Sequence, residues 1–328
     1  MAQPPDDPVL VAFQLGIFAA SLAVWIGIVA EWLRHRTILA YQPRRHVPWG
    51  PIAALPAIAL VLMSVLSAIA NEGLPPDEFA PNPPDAAKQL VATIVLQSLV
   101  AGLAIAIAAY CNASWEDLGL SLRRAELLRD CKIGVVTCLA AVIPVFGLQA
   151  LLLYLLGQED PSHHPLVEML TEGEPNLGVL LLASISAALV APICEEIVFR
   201  LMLQGWLEKW HDQVVAVDPA NAAPDAWTIQ SWDSSVEDST EPLVLHRPAR
   251  RGLIGLPYGW LPILISSLLF GLAHFGYGPE PVPIFILALM FGYVYQRTHR
   301  ILPCILAHGM FNFITIFVLW RMVFHAAE

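Results

Sequence analysis

The chain has 328 residues, of which 57% are hydrophobic and only 14% charged, with a mean hydropathy of +0.62. Soluble domains are nearer half apolar and a quarter charged, so this composition excludes an ordinary soluble globule and points to an all-α integral membrane protein. The net charge of −11 suggests a basic partner or a surface that excludes nucleic acid, but because the acidic residues gather in loops it says little about any active surface, and no nucleic-acid partner is expected.

A helix needs roughly 20 apolar residues to cross the hydrocarbon core. Eight stretches meet or approach that length, at about 9–32, 49–70, 89–110, 133–157, 177–207, 256–275, 281–296 and 301–325, the seventh being the shortest. The first follows "MAQPPDDP", which is acidic where a secretory signal is basic. It is also longer than a signal's apolar stretch and reads as a retained transmembrane helix. The loops support the same count through the bias of Lys and Arg toward the cytoplasm. Arg34, Arg36, Arg44 and Arg45 follow the first span, Arg123, Arg124, Arg129 and Lys132 the third, Lys209, Arg247, Arg250 and Arg251 the fifth, and Arg297 and Arg300 the seventh. The alternate loops hold almost no basic residue, which predicts eight transmembrane helices with both termini outside the cytoplasm. The first four, residues 1–176, form an N-terminal membrane region, and residues 177–325 a second unit.

Two cytoplasmic segments stand out. "ASWEDLGL", from Ala113, reads equally as an interfacial amphipathic segment or a solvated connector. Residues 211–250 are polar, acidic and without period, which predicts a mobile insertion between two spans. The five cysteines (Cys111, Cys131, Cys138, Cys194 and Cys304) include no CxxC pair and read as small buried residues. His163 and His164, in an acidic outer loop, read as surface residues.

Charge inside a span is costly, about 2.5–3.5 kcal/mol per ionised group at a helix centre, so each polar intrusion needs a partner. In "CEEIVFRLML", Glu196 and Arg200 are i,i+4 neighbours and can pair. Glu195 has no such partner on its own helix, which marks it for chemistry. "FGLAH" places Phe270 and His274 on one helix face, and "HGMFN" does the same for His308 and Asn312. A single membrane histidine is ordinarily a packing residue, but three intrusions on separate helices form a constellation. Glu195 and His274 fall at similar depths, roughly 21 and 24 Å from the cytoplasmic ends of their helices, whereas His308 is only about 12 Å from its turn. Pro192 removes a backbone hydrogen bond and should free carbonyls near Glu195. Gly271, Gly276 and Gly278 suit close helix approach or a break after His274, and Cys194 reads as inert.

The blocks "EEIVFR", "FGLAH" and "HGMFN", in this order on consecutive membrane helices, resemble the CPBP (Abi) family, which includes type II CAAX prenyl proteases and bacteriocin-immunity proteins. The resemblance covers about 177–323, and the long insertion departs from it. It implies an intramembrane endopeptidase in a bacterial-type plasma membrane, opening toward the cytoplasm and acting on a membrane-associated peptide or protein within the lipid bilayer. Glu195 would activate water, His274 would hold and polarise it, His308 and Asn312 would form the oxyanion hole, and Glu196, Arg200 and Phe270 would support the site. A metal-free mechanism is favoured. A catalytic zinc on Glu195, His274 and His308 is the alternative, although Asn312 is a poor zinc ligand and there is no HExxH. Two rival functions stand beside it: a proton-coupled transporter, since mid-membrane carboxylate and histidine also suit proton coupling, and a non-proteolytic scaffold or immunity protein.

Overall fold

The computed structural model describes residues 7–34, 38–42, 47–71, 83–157, 176–216, 259–276 and 279–325. Among them are eight helices and no strand. In chain order they are α1 (Pro8–Leu33), α2 (Leu55–Asn71, entered through a 3₁₀ turn at Pro51–Ala54), α3 (Pro83–Tyr110), α4 (Arg124–Leu156), α5 (177–216), α6 (Leu261–Leu272), α7 (Pro281–Thr298) and α8 (Leu302–His325). Across the described residues the chain is all-helical, and its apolar helices make it an integral membrane protein.

Six of these helices, α1 to α5 and α8, are long and apolar enough to cross a bilayer. The count of eight full spans is met only to that extent. At 12 residues α6 is too short to cross alone, and α7 carries Gln296 and Arg297 in its last turn. The sixth stretch, expected over 256–275, stops being helical at Leu272 because the backbone turns there. His274 N–H bonds to the Gly271 carbonyl at 3.0 Å, and Gly276 then takes φ +104°, a conformation that suits glycine. A side chain at Gly276 would come within 2.7 Å of Ala68 Cβ on α2. The turn is therefore clamped to α2, where Ser64 Oγ also donates to the Ala273 carbonyl at 2.6 Å.

α5 lies at the centre, in contact with α2, α3, α6, α7 and α8, while α4 packs along α8 and α1 along α4. The core along these contacts is built from small and aromatic side chains, among them Ala104, Cys138, Ala141, Phe199, Phe291 and Ala307. Small residues let helix backbones approach closely where lipid offers no hydrophobic driving force. The outer faces of α1, α2 and α3 expose Leu15, Leu66 and Leu99, as lipid-facing helices do.

Polar clamps join the ends of the bundle. At one end, Asp7 caps α1 by accepting from Val9 N–H and pairs with Arg321 of α8 at 2.7 Å. The hydrogen bond from Arg321 holds the Asp7 carboxyl down at about 2. At the other end, Arg300, in the turn between α7 and α8, grips Asp130 of α4 through Nε at 2.7 and 2.8 Å and also bonds Glu126 at 3.0 Å. "ASWEDLGL" is a run of hydrogen-bonded turns, not an amphipathic helix: Ser114 and Asp117 bond each other reciprocally. Gly119, at φ +68°, seats this connector against His299, whose carbonyl would lie 2.5 Å from any side chain placed there. Among the cysteines, Cys138, Cys194 and Cys304 are buried as expected, Cys111 is intermediate and Cys131 is exposed on α4; all five are free. The expected insertion begins later than 211, because α5 stays helical to Ala216. Residues 217–258, and His163 and His164, lie outside the described residues.

Candidate active site

α5 is not a uniform helix, and its irregularities build the site. Two stretches, Ser186–Val190 and Ile197–Gln204, are π-helical, and the α-helical Ala191–Glu196 between them carries the two glutamates. The first stretch follows from Pro192, which has no N–H to bond the Ala188 carbonyl four residues earlier. Widened turns of this kind expose carbonyls to outside donors, and each π stretch receives them. Asn312 Nδ2 donates to the Ala187 carbonyl at 2.8 Å. Ser266 Oγ donates to the Phe199 carbonyl at 2.9 Å, and Trp49 Nε1 to the Met202 carbonyl at 3.1 Å.

The charged cluster divides as the sequence spacing implies. Glu196 and Arg200, both with wholly buried side chains, pair at 3.2 Å. Arg200 Nη1 donates further to Ser266 Oγ at 3.0 Å, and the guanidinium lies 5.2 Å from the centre of the Phe270 ring. Glu195, with a side chain 15% exposed, faces His308 Nε2 across 3.8 Å, and its Oε2 makes no hydrogen bond. His308 Nδ1 meets Glu196 Oε1 at 3.0 Å. A carboxylate only accepts, so Nδ1 carries the proton, and Nε2 is the atom presented to Glu195. His308 therefore bridges the glutamates, tied to one and facing the other.

His274 keeps the face that its spacing predicts it shares with Phe270, but beyond the end of the helix. It sits in the turn beyond α6, where Nδ1 donates to the Phe270 carbonyl at 3.0 Å and the ring stacks on Phe270 at 5.3 Å between centroids. The Phe270 ring is also 5.7 Å from His308, so one aromatic side chain separates and orients the two histidines. The depth mismatch of His308 disappears in three dimensions. The turn that precedes α8 does not lie beside the end of α5 at Ala216, because His299 Nε2 meets Glu208 Oε2 at 3.2 Å. The start of α8 is thereby raised, about two turns above the end of α5, and its first turns reach the glutamates.

Residues 177–222 and 243–314 match the family model described as type II CAAX prenyl endopeptidase Rce1-like. No curated protein and no solved structure matches the chain. Over those two segments the chain is similar to the Rce1-like family. The matched segments contain all three polar blocks, and the gap between them lies inside the expected insertion. This match supports an intramembrane, CAAX-protease kind of function for the region.

Within the matched region, the three donors of the alternative zinc site, Glu195, His274 and His308, do not converge. Among the described residues no three His, Cys, Asp or Glu side chains converge as ligands of one metal. Glu195 and His308 face each other, while His274 is turned onto Phe270. Those donors do not fit zinc as placed.

Sequence reading missed Ser266, Phe291 and Gly309. Ser266 looks like any small residue in an apolar helix, yet it holds Arg200 in place. Phe291 lies tilted beside His308, 5.4 Å between ring centroids, and is invisible among the aliphatics of α7. Gly309 was legible in principle, as the small residue inside "HGMFN". A Cβ there would lie 2.6 Å from the Ala188 carbonyl, the one that Pro192 frees. Gly309→Ala should force α5 and α8 apart between His308 and Asn312, with an expected loss of turnover on the order of a hundredfold. The measure is kcat beside Gly102→Ala, whose added methyl meets nothing within 4 Å; equal activity of the two variants would refute the close-approach role.

Proposed function

We propose that the chain is an intramembrane endopeptidase in which Glu195 is the general base, acting on a lipidated, CAAX-like or otherwise membrane-associated substrate. The observation that carries this reading is the pairing of a hydrogen-bond-free Glu195 oxygen with a histidine whose far side is anchored on a second, charge-paired glutamate. Glu195 Oε2 takes a proton from water as the water oxygen bonds to the scissile carbonyl carbon. The same proton passes to the leaving nitrogen as the C–N bond breaks, giving a carboxylic acid and an amine.

His308 supplies the complementary electrostatics. In its imidazolium form it makes, with Arg200, two cations to match the two glutamates, and Nε2–H then donates to the oxyanion of the tetrahedral intermediate. Glu196 steadies that charge, a more active part than helix support. Asn312 keeps one amide hydrogen for the oxyanion after bonding Ala187. His274, with Nδ1 committed to a carbonyl, offers Nε2 as an acceptor to the attacking water. The end of the bundle bearing Arg297 and Arg300 faces the cytoplasm in this reading, in line with the positive-inside bias. A zinc or proton-transport role finds no comparable support, because neither uses the Asn312 and Gly309 contacts to α5.

The decisive experiment compares the termini of membrane and secreted peptides, by quantitative mass spectrometry, in cells expressing wild type or Glu195→Gln. A set of termini that disappears with the variant is expected. Identical peptide sets at equal protein levels would overturn the peptidase reading.

A further inference from the structure

Away from the candidate site, one buried pair of titratable side chains ties together the end of the bundle that bears Arg297 and Arg300. Glu208, on the last turns of α5, and His299, in the turn between α7 and α8, are both buried, and Oε2 meets Nε2 at 3.2 Å. His299 takes φ +48°, a left-handed conformation at the end of α7 that ordinarily goes to glycine. The backbone alone therefore gives no reason for a histidine there. The ring supplies one, because Nδ1 also lies 2.8 Å from the Gln42 carbonyl, in the segment that follows α1.

These two contacts fix the protonation of the pair. A carbonyl only accepts, so Nδ1 is a donor, and a neutral imidazole with its hydrogen on Nδ1 has a lone pair on Nε2. That lone pair would face the Glu208 carboxylate acceptor against acceptor. The 3.2 Å contact therefore holds one proton between Nε2 and Oε2, which belongs to the pair and to neither residue alone. Glu208 Oε1 accepts from Gln204 Nε2 at 3.0 Å, which fixes the carboxylate on its own helix.

Other charged and titratable groups approach the pair from each side. On α5, Lys209 Nζ donates to the Trp49 carbonyl at 3.1 Å, His211 lies close enough for the charge of Glu208 to act on it, and Asp212 follows one turn on. From α7, Tyr295 packs on the imidazole, and Arg297 Nε donates to the Leu39 carbonyl at 2.8 Å. Tyr41 meets the same ring edge-on at 5.6 Å. Arg300 is held by Asp130 and Glu126 of α4, and Arg129 of α4 faces the Gln42 side-chain amide.

We propose that Glu208 and His299 form a proton-operated latch: with its shared proton it holds the start of α8 against α5, and at alkaline pH its two acceptors repel and α8 shifts in depth. His308 is nine positions after His299 on the same rigid helix, so the shift reaches its contacts with both glutamates. Stability from the latch is present on the acid side and lost as the pH rises through the titration of the pair. The latch itself stands apart from the peptidase reading, while its effect on turnover rests on it.

The test uses the full chain in lipid nanodiscs between about pH 6 and pH 10. The wild-type melting temperature should step down by roughly 2–4 °C as the pH rises, the response of a chain of this size to losing one modest interaction. Glu208→Gln should abolish the step, because its amide donates to neutral Nε2 without a shared proton and still accepts from Gln204. His299→Gln should abolish it too, since the titrating ring is gone. The ratio of Glu208→Gln to wild-type kcat should rise about tenfold over the same range, a comparison in which titration at Glu195 or His308 cancels. A wild type without the step, or a step that survives in either variant, would overturn the latch; survival in His299→Gln alone would assign the proton to His211. A step that vanishes in both variants beside a flat kcat ratio would overturn the coupling to the site. A wild type that shows the step but cleaves no peptide would sink the peptidase reading and leave the latch standing. If Glu208→Gln fails to fold, His299→Gln carries both measurements.

Discussion

Purified Glu195→Gln should lose peptide cleavage by about a hundredfold to ten-thousandfold, the usual contribution of a positioned general base, while its thermal stability holds or rises. The two halves of that expectation have separate causes. The amide is nearly isosteric with the carboxylate but cannot take a proton from water, so the loss falls on kcat. Stability does not fall, because Glu195 Oε2 makes no hydrogen bond and its His308 contact is long, at 3.8 Å; removing a partly buried charge with so little compensation relieves desolvation. Single-turnover cleavage of a reconstituted substrate, run beside thermal unfolding in the same lipid, measures both. Undiminished turnover in the purified variant would remove Glu195 from the mechanism.

Arg200→Met should have the largest effect on stability, about 3–5 kcal/mol, because it leaves Glu196 wholly buried without its counter-charge. The guanidinium also ties α5 to α6: it pairs with Glu196 on its own helix, bonds Ser266 on α6 and lies beside the Phe270 ring, also on α6, that orients both histidines. Methionine restores volume but none of these bonds. The double variant Glu196→Gln, Arg200→Met removes both charges and should be more stable than Arg200→Met alone, since no charge is then stranded. It should still be inactive, because His308 Nδ1 would face a neutral amide in place of a carboxylate. Equilibrium unfolding in detergent compares the variants. A loss below about 1 kcal/mol for Arg200→Met, the range of exposed ion pairs, would show that the pair is not the anchor of the site.

Much of this architecture was legible because its causes are local. Apolar runs long enough for a bilayer marked α1 to α5 and α8, and the spacing of Glu196 and Arg200 announced a pair that the structure closes at 3.2 Å. Pro192 announced a disturbed backbone, since a missing N–H has the same consequence in any helix. The shortness of α6 was hidden by its own continuation: "FGLAHFG" keeps an apolar helical rhythm beyond Leu272, and only the docking of Ala273 and Gly276 on α2 turns the chain aside. His274 therefore keeps the face it shares with Phe270, as its spacing announced, but in a turn beyond the helix end.

The amino-acid sequence by itself determined that this is a helical membrane protein, that Glu195 has no partner on its own helix, and which three apolar segments carry polar intrusions. These follow from hydrophobicity and from helical periodicity, which act within one segment. Tertiary structure alone decided which histidine the glutamates share. His308 reaches both because Glu208 grips His299 and raises the start of α8, and because Gly309 lets that helix close on the carbonyl freed by Pro192. Such a result depends on the relative depth of separate helices, a quantity set by contacts between residues about 90 to 120 positions apart, on which no local pattern bears.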